Sequence, residues 1–351
     1  MIMKKNTSHF RGCLLGGAIG DALGFIVEFM DIEEIKRTFG TEGINDLICD
    51  ETSGKAVVSD DTQMTVFTAD GLLWADYSGR EGDTCSITDC VFYSYQRWFY
   101  TQTGRFADQE YDWLINNEGV DYKSELMKVE ELMIRRGPGN TCLSALSKSV
   151  NKQYGTIDDP INNSKGCGGI MRSAPVGLYF HKSADKAFQM AAQCAAITHG
   201  HPSGYLSAGA LACIISEIID GKDINQAALH AANILKTYDQ HEECLNFLQR
   251  AITLSTKDVE PDDAVKSLGE GWVGEEALAI AVYCALKYED DFKKAVRLAV
   301  NHSGDSDSTG AICGNILGAY HGLKGMPEKW IKNVELADLI MGIADRLLAA
   351  G

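Results

Sequence analysis

Residues 12–24 read GCLLGGAIGDALG, in which Gly16, Gly20 and Gly24 recur at every fourth position. Residues four apart lie one turn above another on the same face of an α-helix. The spacing therefore predicts a helix with one face free of side chains, along which a second helix can pack closely. We interpret these glycines as structural.

Apolar residues recur at three- and four-residue spacing through much of the remaining chain, as in helices that bury one face. The clearest such segments are 189–197, 205–219, 224–236, 275–286, 292–300 and 334–348. Strand-like runs are short, and neither an internal repeat nor a low-complexity linker divides the 351 residues. An all-α fold is expected, with loops at 101–117, 137–140 and 155–169.

The composition argues against several classes of protein. A formal net charge of −17 disfavours binding to nucleic acid or to anionic membranes, because both need a basic face. The 11 cysteines form no C-x-x-C pair, which is unlike a disulfide framework or a zinc site. The first residues lack the apolar core of a secretory signal, and Asp21 and Glu28 interrupt the apolar stretch 13–29. A soluble, cytoplasmic protein is expected.

Two acidic clusters lie near opposite ends of the chain, each directly before an apolar, helix-like run. They are Ser59-Asp60-Asp61-Thr62 and Asp305-Ser306-Asp307-Ser308-Thr309. Carboxylates beside hydroxyls are the hard oxygen ligands that Mg²⁺, Mn²⁺ or Ca²⁺ select, but Asp or Ser before a helix is also an ordinary N-cap. One cap needs only one acid, so the doubled acids favour a metal site. The clusters would then have to meet, which favours one compact domain.

Two further segments carry candidate ligands. Glu28 follows Asp21 by seven residues, so on a continuous helix the two would share one face. Glu28 is interpreted as a metal ligand, as a group that orients a water, or as a solvated helix end. Residues 166–175 read GCGGIMRSAP, where backbone N–H groups and Arg172 could bind a phosphate, although a plain turn has a similar composition.

Two ring side chains are candidates for ligand contacts. His199 is predicted to face a site and His201 to be structural, since two histidines alone do not complete a zinc site. Trp272 precedes a helix-like run, and either stacks on a ring or lies in the core.

In their order and content these motifs resemble the ADP-ribosylglycohydrolase family, which includes dinitrogenase-reductase-activating glycohydrolase and the ADP-ribosyl-acceptor hydrolases. The resemblance runs from Arg11 to about Gly322, and residues 77–140 match poorly. It rests on residues 12–24 with Glu28, 59–62, 168–172, 198–199, 271–277 and 304–310. It implies a compact, single-domain orthogonal helical bundle at 11–351 after a polar extension at 1–10. A binuclear Mg²⁺ centre in a cleft is also implied, with Mn²⁺ as an alternative ion.

Matched residue by residue, the resemblance implies metal ligands, catalytic groups and substrate contacts. One ion would be held by Ser59, Asp60, Asp61 and Asp307, and the other by Glu28, Asp305, Asp307 and Ser308, with Asp307 bridging. Glu28 or Asp61 would orient or deprotonate the attacking water. Substrate contacts would come from Asn140, Gly168, Gly169, Met171, Arg172, His199 and Trp272.

The implied reaction releases ADP-ribose from an ADP-ribosylated protein side chain, with an arginine linkage favoured over serine or a nucleic-acid base. Two alternatives stay open: an antagonist that binds an ADP-ribosyltransferase such as a toxin, and a hydrolase of a small ADP-ribosyl conjugate. The implied partners are the modified protein and ADP-ribose. Nucleic-acid and membrane partners are not expected, and a monomer is expected.

Overall fold

The computed structural model describes residues 6–82 and 85–351. Within these ranges the chain forms sixteen α-helices and five short 3-10 helices, and no β-strand. The α-helices are α1 (Thr7–Gly24), α2 (Ile32–Phe39), α3 (Asp60–Glu81), α4 (Ile87–Thr103), α5 (Asn140–Lys148), α6 (Ala174–Tyr179), α7 (Ala184–Ala196), α8 (Pro202–Ile219), α9 (Ile224–Leu235), α10 (Glu242–Ser255), α11 (Pro261–Leu268), α12 (Gly274–Lys287), α13 (Phe292–Val300), α14 (Ser306–His321), α15 (Glu328–Asn333) and α16 (Ala337–Ala350). The predicted all-α fold is confirmed.

The glycine face of α1 packs against α14, and the two helices run antiparallel. Glycines face one another at three successive levels: Gly12 with Gly318, Gly16 with Gly314, and Gly20 with Gly310. A Cβ atom on Gly16 would lie 2.3 Å from the carbonyl oxygen of Gly314, far inside van der Waals contact. The predicted structural role is confirmed. One level further, a Cβ on Gly24 would lie 2.2 Å from the carbonyl oxygen of Ser306, so the end of α1 meets the start of α14.

Helix α3 begins beside α1 because the buried carboxylate of Asp21 receives its first-turn donors. Asp21 accepts the N–H groups of Ser59 and Thr62 at 2.9 and 3.1 Å, and also the Thr62 hydroxyl. A carboxylate at this point pairs N–H groups that have no partner within the helix, and it interacts favourably with the helix dipole. Through α1, therefore, the starts of α3 and α14 are brought to the same place.

Helix α8 lies at the centre of the core, and all of its residues are buried. By length and composition it is apolar enough to cross a membrane, but it is buried inside the protein, as in the core helix of a globular domain. It packs against α6, α7, α9 and α12. Helices α7, α8 and α12 all contact the 3-10 helix Cys167–Gly169, so they support the glycine-rich loop.

The predicted helical segments correspond to α7, α8, α9, α12, α13 and α16. The last of them starts later than expected, because Val334 forms an isolated bridge with Ala56 and α16 begins at Ala337. The predicted extension at 1–10 needs a correction: α1 begins at Thr7, and Phe10 is fully buried in the core. Residues 7–10 thus belong to the domain, and residues 1–5 lie outside the described part of the chain.

Candidate active site

The two acidic clusters line one cavity of about 380 Å³. Its walls come from the turn after α1, the starts of α3, α5 and α14, the glycine-rich loop and the segment before α12. The lining residues are Glu28, Phe29, Asp60, Asp61, 137–142, 166–168, Met171, His199, Trp272, Asp305, Asp307 and Ser308. The predicted meeting of the clusters, which are more than 240 residues apart, is therefore confirmed by the fold.

In the first cluster, capping and lining are divided among neighbouring residues. Ser59 is the N-cap of α3: its hydroxyl accepts the N–H of Asp61 at 3.1 Å, and its side chain is fully buried and does not line the cavity. Asp60 lines the cavity and accepts the N–H of Gly139 at 3.0 Å. Asp61 lines it as well, from the next position in the helix. Because Ser59 does not lie on the cavity wall, its position does not support the metal-ligand role that the resemblance implies.

In the second cluster a single residue both caps a helix and lines the cavity. Asp305 is the N-cap of α14, where Oδ1 accepts the N–H of Ser308 at 3.2 Å. Its other oxygen, Oδ2, accepts a hydrogen bond from the thiol of Cys167 at 2.7 Å. Asp307, in the first turn, is only 4% exposed and lines the same cavity. The N-cap and the ligand interpretations of these clusters are thus compatible.

Burial and neighbouring carboxylates raise the pKa of four acids that line the cavity, Glu28, Asp60, Asp61 and Asp307. Burial, followed by the charges of Asp305 and Asp60, raises the pKa of Glu28 to about 8. Burial raises the pKa of Asp60 to about 7, and the nearby Asp21 and Asp305 add to that increase. For Asp61 and Asp307, burial and their neighbouring carboxylates raise the pKa well above its ordinary value. The cavity therefore favours positive charge.

Two carboxylate oxygens in this cavity have no hydrogen-bond partner. They are Oδ2 of Asp61 and Oδ1 of Asp307, both buried. Buried carboxylate oxygens are normally paired, so these two fit a site that receives a cation. Across residues 6–82 and 85–351, however, no three His, Cys, Asp or Glu side chains already stand in a complete ligand arrangement. Support for a cation site therefore comes from the chemistry of the carboxylate and hydroxyl oxygens that line the cavity.

Asp21 is a supporting residue whose role the sequence interpretation missed. It is fully buried under the cavity, its hydrogen bonds hold the start of α3, and burial raises its pKa to about 6. It was expected to share a helix face with Glu28, but α1 ends at Gly24 and Glu28 lies on the turn that follows. Glu28 nevertheless reaches the cavity. An acid in the middle of a glycine-rich, buried helix was the available signal for Asp21.

The glycine-rich loop contributes Gly168 to the cavity but not Gly169. A Cβ on Gly168 would lie 2.9 Å from both Cys142 Sγ and the His199 ring, so only glycine fits there without displacing them. Gly169 is buried instead against the backbone of Gly204 and the side chain of Ala195. Gly169, which is predicted to contact the substrate, therefore packs behind the cavity wall in this structure.

Arg172, which is predicted to contact the substrate, lies behind the cavity wall in this structure. Its guanidinium is 1% exposed and lies 4.3 Å from the ring centre of Tyr95. It donates to the Thr198 hydroxyl at 2.6 Å and to Cys142 Sγ at 3.3 Å, and it does not line the cavity. Arg172 thus supports the cavity wall from behind. Sequence alone could not show this, because an arginine after glycines gives no indication of its burial.

His199 lines the cavity as predicted. It is 1% exposed, and Nδ1 lies 2.8 Å from the Thr198 hydroxyl. Burial, followed by the charge of Arg172, lowers the pKa of His199 to about 3, so its ring is neutral at ordinary pH. His201 caps α8 by accepting the N–H of Ser203, in agreement with its predicted structural role.

An exposed pair of aromatic rings lies at the rim. Trp272 is 39% exposed and stacks on Phe29, which is 80% exposed, with 5.9 Å between ring centres. Both line the cavity, which favours the ring-stacking interpretation of Trp272 over burial in the core. Asn140, at the start of α5, and Met171 also line the cavity as predicted. Phe29 was missed, although it directly follows Glu28.

The segment before α12 holds the glycine-rich loop in position. The N–H of Cys167 donates to the carbonyl of Trp272 at 3.1 Å, and the N–H of Gly274 donates to that of Lys165 at 2.8 Å. Lys165 also forms an ion pair with the buried Glu275. These contacts give a physical reason for Glu275 at the start of α12, because it anchors the loop segment that precedes Cys167.

The sequence comparisons assign this all-α fold with its acid-lined cavity to a family of hydrolases. The profile described as ADP-ribosylglycohydrolase matches residues 3–351, so the chain belongs to the ADP-ribosylglycohydrolase family. Enzymes of this family hydrolyse ADP-ribose conjugates. The predicted family and enzyme class are confirmed.

Curated relatives agree with this assignment, and a solved structure shares the fold. The chain is 23% identical to "ADP-ribosylarginine hydrolase Tri1" of Pseudomonas putida (strain GB-1), over 96% of this chain and 77% of that protein. It is 25% identical to the "ADP-ribosyl-[dinitrogen reductase] glycohydrolase" of Rhodospirillum rubrum, over 93% and 90%. An "ADP-ribosylglycohydrolase-related protein complex" shares the fold, with a TM-score of 0.65 at 22% identity over 99% of both chains.

Proposed function

We propose that this enzyme removes ADP-ribose from modified protein side chains, with an arginine linkage as its first substrate, and that it uses two Mg²⁺ ions, which Mn²⁺ can replace. The observation that carries the proposal is the set of five carboxyl groups on one cavity wall, two of which leave a buried oxygen without a partner. The arginine linkage is supported by the name of the Pseudomonas putida relative.

The donor set is all-oxygen and suits hard divalent cations. Asp60, Asp61 and Asp307 would hold one ion, and Glu28, Asp305, Asp307 and Ser308 the other. Ser59 could join the first group through the remaining lone pair of its hydroxyl. Bound there, the ions would supply Lewis-acid stabilisation and lower the pKa of a bound water.

Glu28 is the better placed of the two candidate bases. Its carboxyl group lies on a turn beside the exposed Phe29, so it is open to water and free of the helix geometry that holds Asp61. Asp61 would then orient rather than deprotonate the water.

The remaining lining residues would position ADP-ribose. Gly168 lets the backbone approach a ligand closely, and Asn140 and His199 present polar groups to the cavity. Trp272 and Met171 add apolar surface. Binding energy from such distant contacts fixes the sugar carbon that reacts, which is the physical use of the whole cavity.

A panel of linkages tests the proposal most directly. Arginine- and serine-linked ADP-ribose on protein, base-linked ADP-ribose on nucleic acid, and free ADP-ribosyl-arginine are each incubated with the enzyme in Mg²⁺ or in excess EDTA. Release of ADP-ribose should be fastest from arginine-linked protein and should stop in EDTA. Full activity in EDTA would contradict the metal centre, and a preference for serine or a base would contradict the acceptor.

The two alternatives are separated by the same assay. Faster turnover of the free conjugate than of the modified protein would favour a hydrolase of small molecules. Protection against a transferase that survives the Asp60→Ala, Asp61→Ala double substitution would favour an antagonist that acts by binding alone.

A further inference from the structure

A cysteine thiol lies among the acids that would bind cations. Cys167 lines the cavity, and its Sγ atom donates to Oδ2 of Asp305 at 2.7 Å. The hydroxyl of Ser308 in turn points at Sγ from 3.6 Å. Both neighbours belong to the second predicted group of ligands, so the thiol directly adjoins that group.

The position of this thiol is held by backbone contacts. The N–H of Cys167 donates to the carbonyl of Trp272, and Gly166 forms an isolated bridge with Val273. On its other side the carbonyl of Cys167 accepts from the N–H groups of Ile170 and Met171. A side chain fixed on such a backbone can bind a ligand without first ordering a loop.

Two acids on the same cavity wall provide an independent observation that points to a cation. Asp61 and Asp307 are 3% and 4% exposed, line the same cavity as Cys167, and each has an oxygen without a hydrogen-bond partner. Thiol, carboxylates and hydroxyl together form a mixed sulfur and oxygen donor set. Thiolate favours softer divalent ions such as Zn²⁺, Cd²⁺ and Co²⁺ over Mg²⁺.

We propose that Cys167 is a metal ligand that lets this centre bind soft divalent cations through sulfur, beside the oxygen ligands that serve Mg²⁺. The proposal rests on the cation centre of the proposed function. Binding replaces the S–H bond by a sulfur–metal bond, with no change of oxidation state. The released proton passes to the solvent, and the hydrogen bond from Sγ to Asp305 is lost.

The test is a titration of the EDTA-treated full-length protein with CdCl₂ or CoCl₂, followed by the ultraviolet charge-transfer absorption of a metal–thiolate bond. The wild type should develop this band, and it should saturate at one metal ion per protein molecule. In Cys167→Ser the band should be absent, and Cd²⁺ affinity should fall by roughly tenfold or more, while Mg²⁺ affinity changes little. Cys49→Ser, which changes a half-buried cysteine outside the cavity, is the matched control.

Cys142 also lines the cavity, so Cys142→Ser completes the set. Persistence of the band in this variant supports Cys167. No band in the wild type at saturating metal, or a band that persists in Cys167→Ser, would overturn the proposal. Calorimetry of Mg²⁺ binding distinguishes failure of this proposal from failure of the proposed function. Mg²⁺ binding without a thiolate band rejects only the role of Cys167. Absence of Mg²⁺ binding rejects the Mg²⁺ centre.

Discussion

At the scale of single residues, adjacent side chains in this cavity divide structural and chemical work. Ser59 caps α3 and is buried, whereas Asp60 and Asp61 line the cavity. Asp305 does both, since one oxygen caps α14 and the other faces Cys167. A helix start is suited to this because its N–H groups stabilise the same negative charge that a cation would bind.

Asp307→Asn should abolish most activity without loss of stability in EDTA. The substitution removes a carboxylate that both proposed ions would share, so hydrolysis should fall by roughly 100-fold or more. It also removes one of several mutually repelling acids, so the melting temperature in EDTA should stay equal or rise. Asp338→Asn, at an exposed first-turn aspartate of α16, is the control and should leave both measurements unchanged. Near-normal turnover in Asp307→Asn would contradict the shared ligand.

The neutral state of His199 should make the protein sensitive to acid. Its pKa is lowered to about 3 in the folded protein, so unfolding takes up a proton between pH 3 and the ordinary value near 6.5. This contribution to stability is complete above pH 6.5 and is lost as the pH falls. Between pH 7 and pH 5 the loss should be about 2 kcal/mol from this group.

Urea unfolding of the wild type and His199→Asn at pH 7, 6 and 5 measures this contribution. The difference in unfolding free energy between the two proteins should shift by that amount in favour of the variant as the pH falls. His201→Asn, at the partly exposed cap of α8, serves as the control. A difference that does not vary with pH would show that His199 is not the group involved.

At the scale of elements, the close contact of α1 and α14 positions the whole site. The glycines bring the two backbones together, and this contact places the turn that carries Glu28 beside the start of α14. Other glycines in helices have no such role, because a Cβ on Gly342 of α16 would meet nothing within 4 Å. Identical residues thus differ in importance according to what lies opposite them.

Gly314→Ala should destabilise the protein, and Gly342→Ala should not. A Cβ on Gly314 would lie 2.0 Å from the carbonyl oxygen of Gly16, and overpacking of this kind costs about 1–3 kcal/mol. Gly342→Ala should instead stabilise by about 0.5–1 kcal/mol, since alanine favours a helix. Thermal unfolding of both variants checks the contrast. Equal melting temperatures would mean that the helices can separate at little cost.

At the scale of the whole molecule, the cavity contains so many carboxyl groups that, without bound cations, some of them stay protonated near neutral pH. The pKa values of Glu28 and Asp60 lie near 8 and 7 in the folded chain, against ordinary values near 4. The folded protein therefore binds more protons than the unfolded one between about pH 4 and pH 8. This contribution to stability is present below pH 4 and declines as the pH rises. Bound cations would replace the protons.

Mg²⁺ should consequently stabilise the protein more at high pH than at low pH. We expect the increase in melting temperature from EDTA to MgCl₂ to grow between pH 6.5 and pH 8. The pH dependence that His199 contributes is common to both conditions and cancels in this difference. Differential scanning fluorimetry in both conditions measures it, with Asp307→Asn as the variant that should lose the effect. A Mg²⁺ effect that is constant over this range would argue against cations replacing protons at these acids.

Local pattern determined much of this protein. Helical periodicity predicts α7, α8, α9, α12 and α13, and glycine spacing predicts the closely packed face of α1. Hard oxygen donors identify both acidic clusters. Each of these properties depends on residues that are near one another in the chain. Only the tertiary structure decided which candidates face the cavity. Arg172 and Gly169 lie behind its wall, while Phe29, Cys142 and Cys167 lie on it. The reason is physical: burial and orientation depend on helices distant in sequence, and a residue's own neighbours in the chain do not specify them.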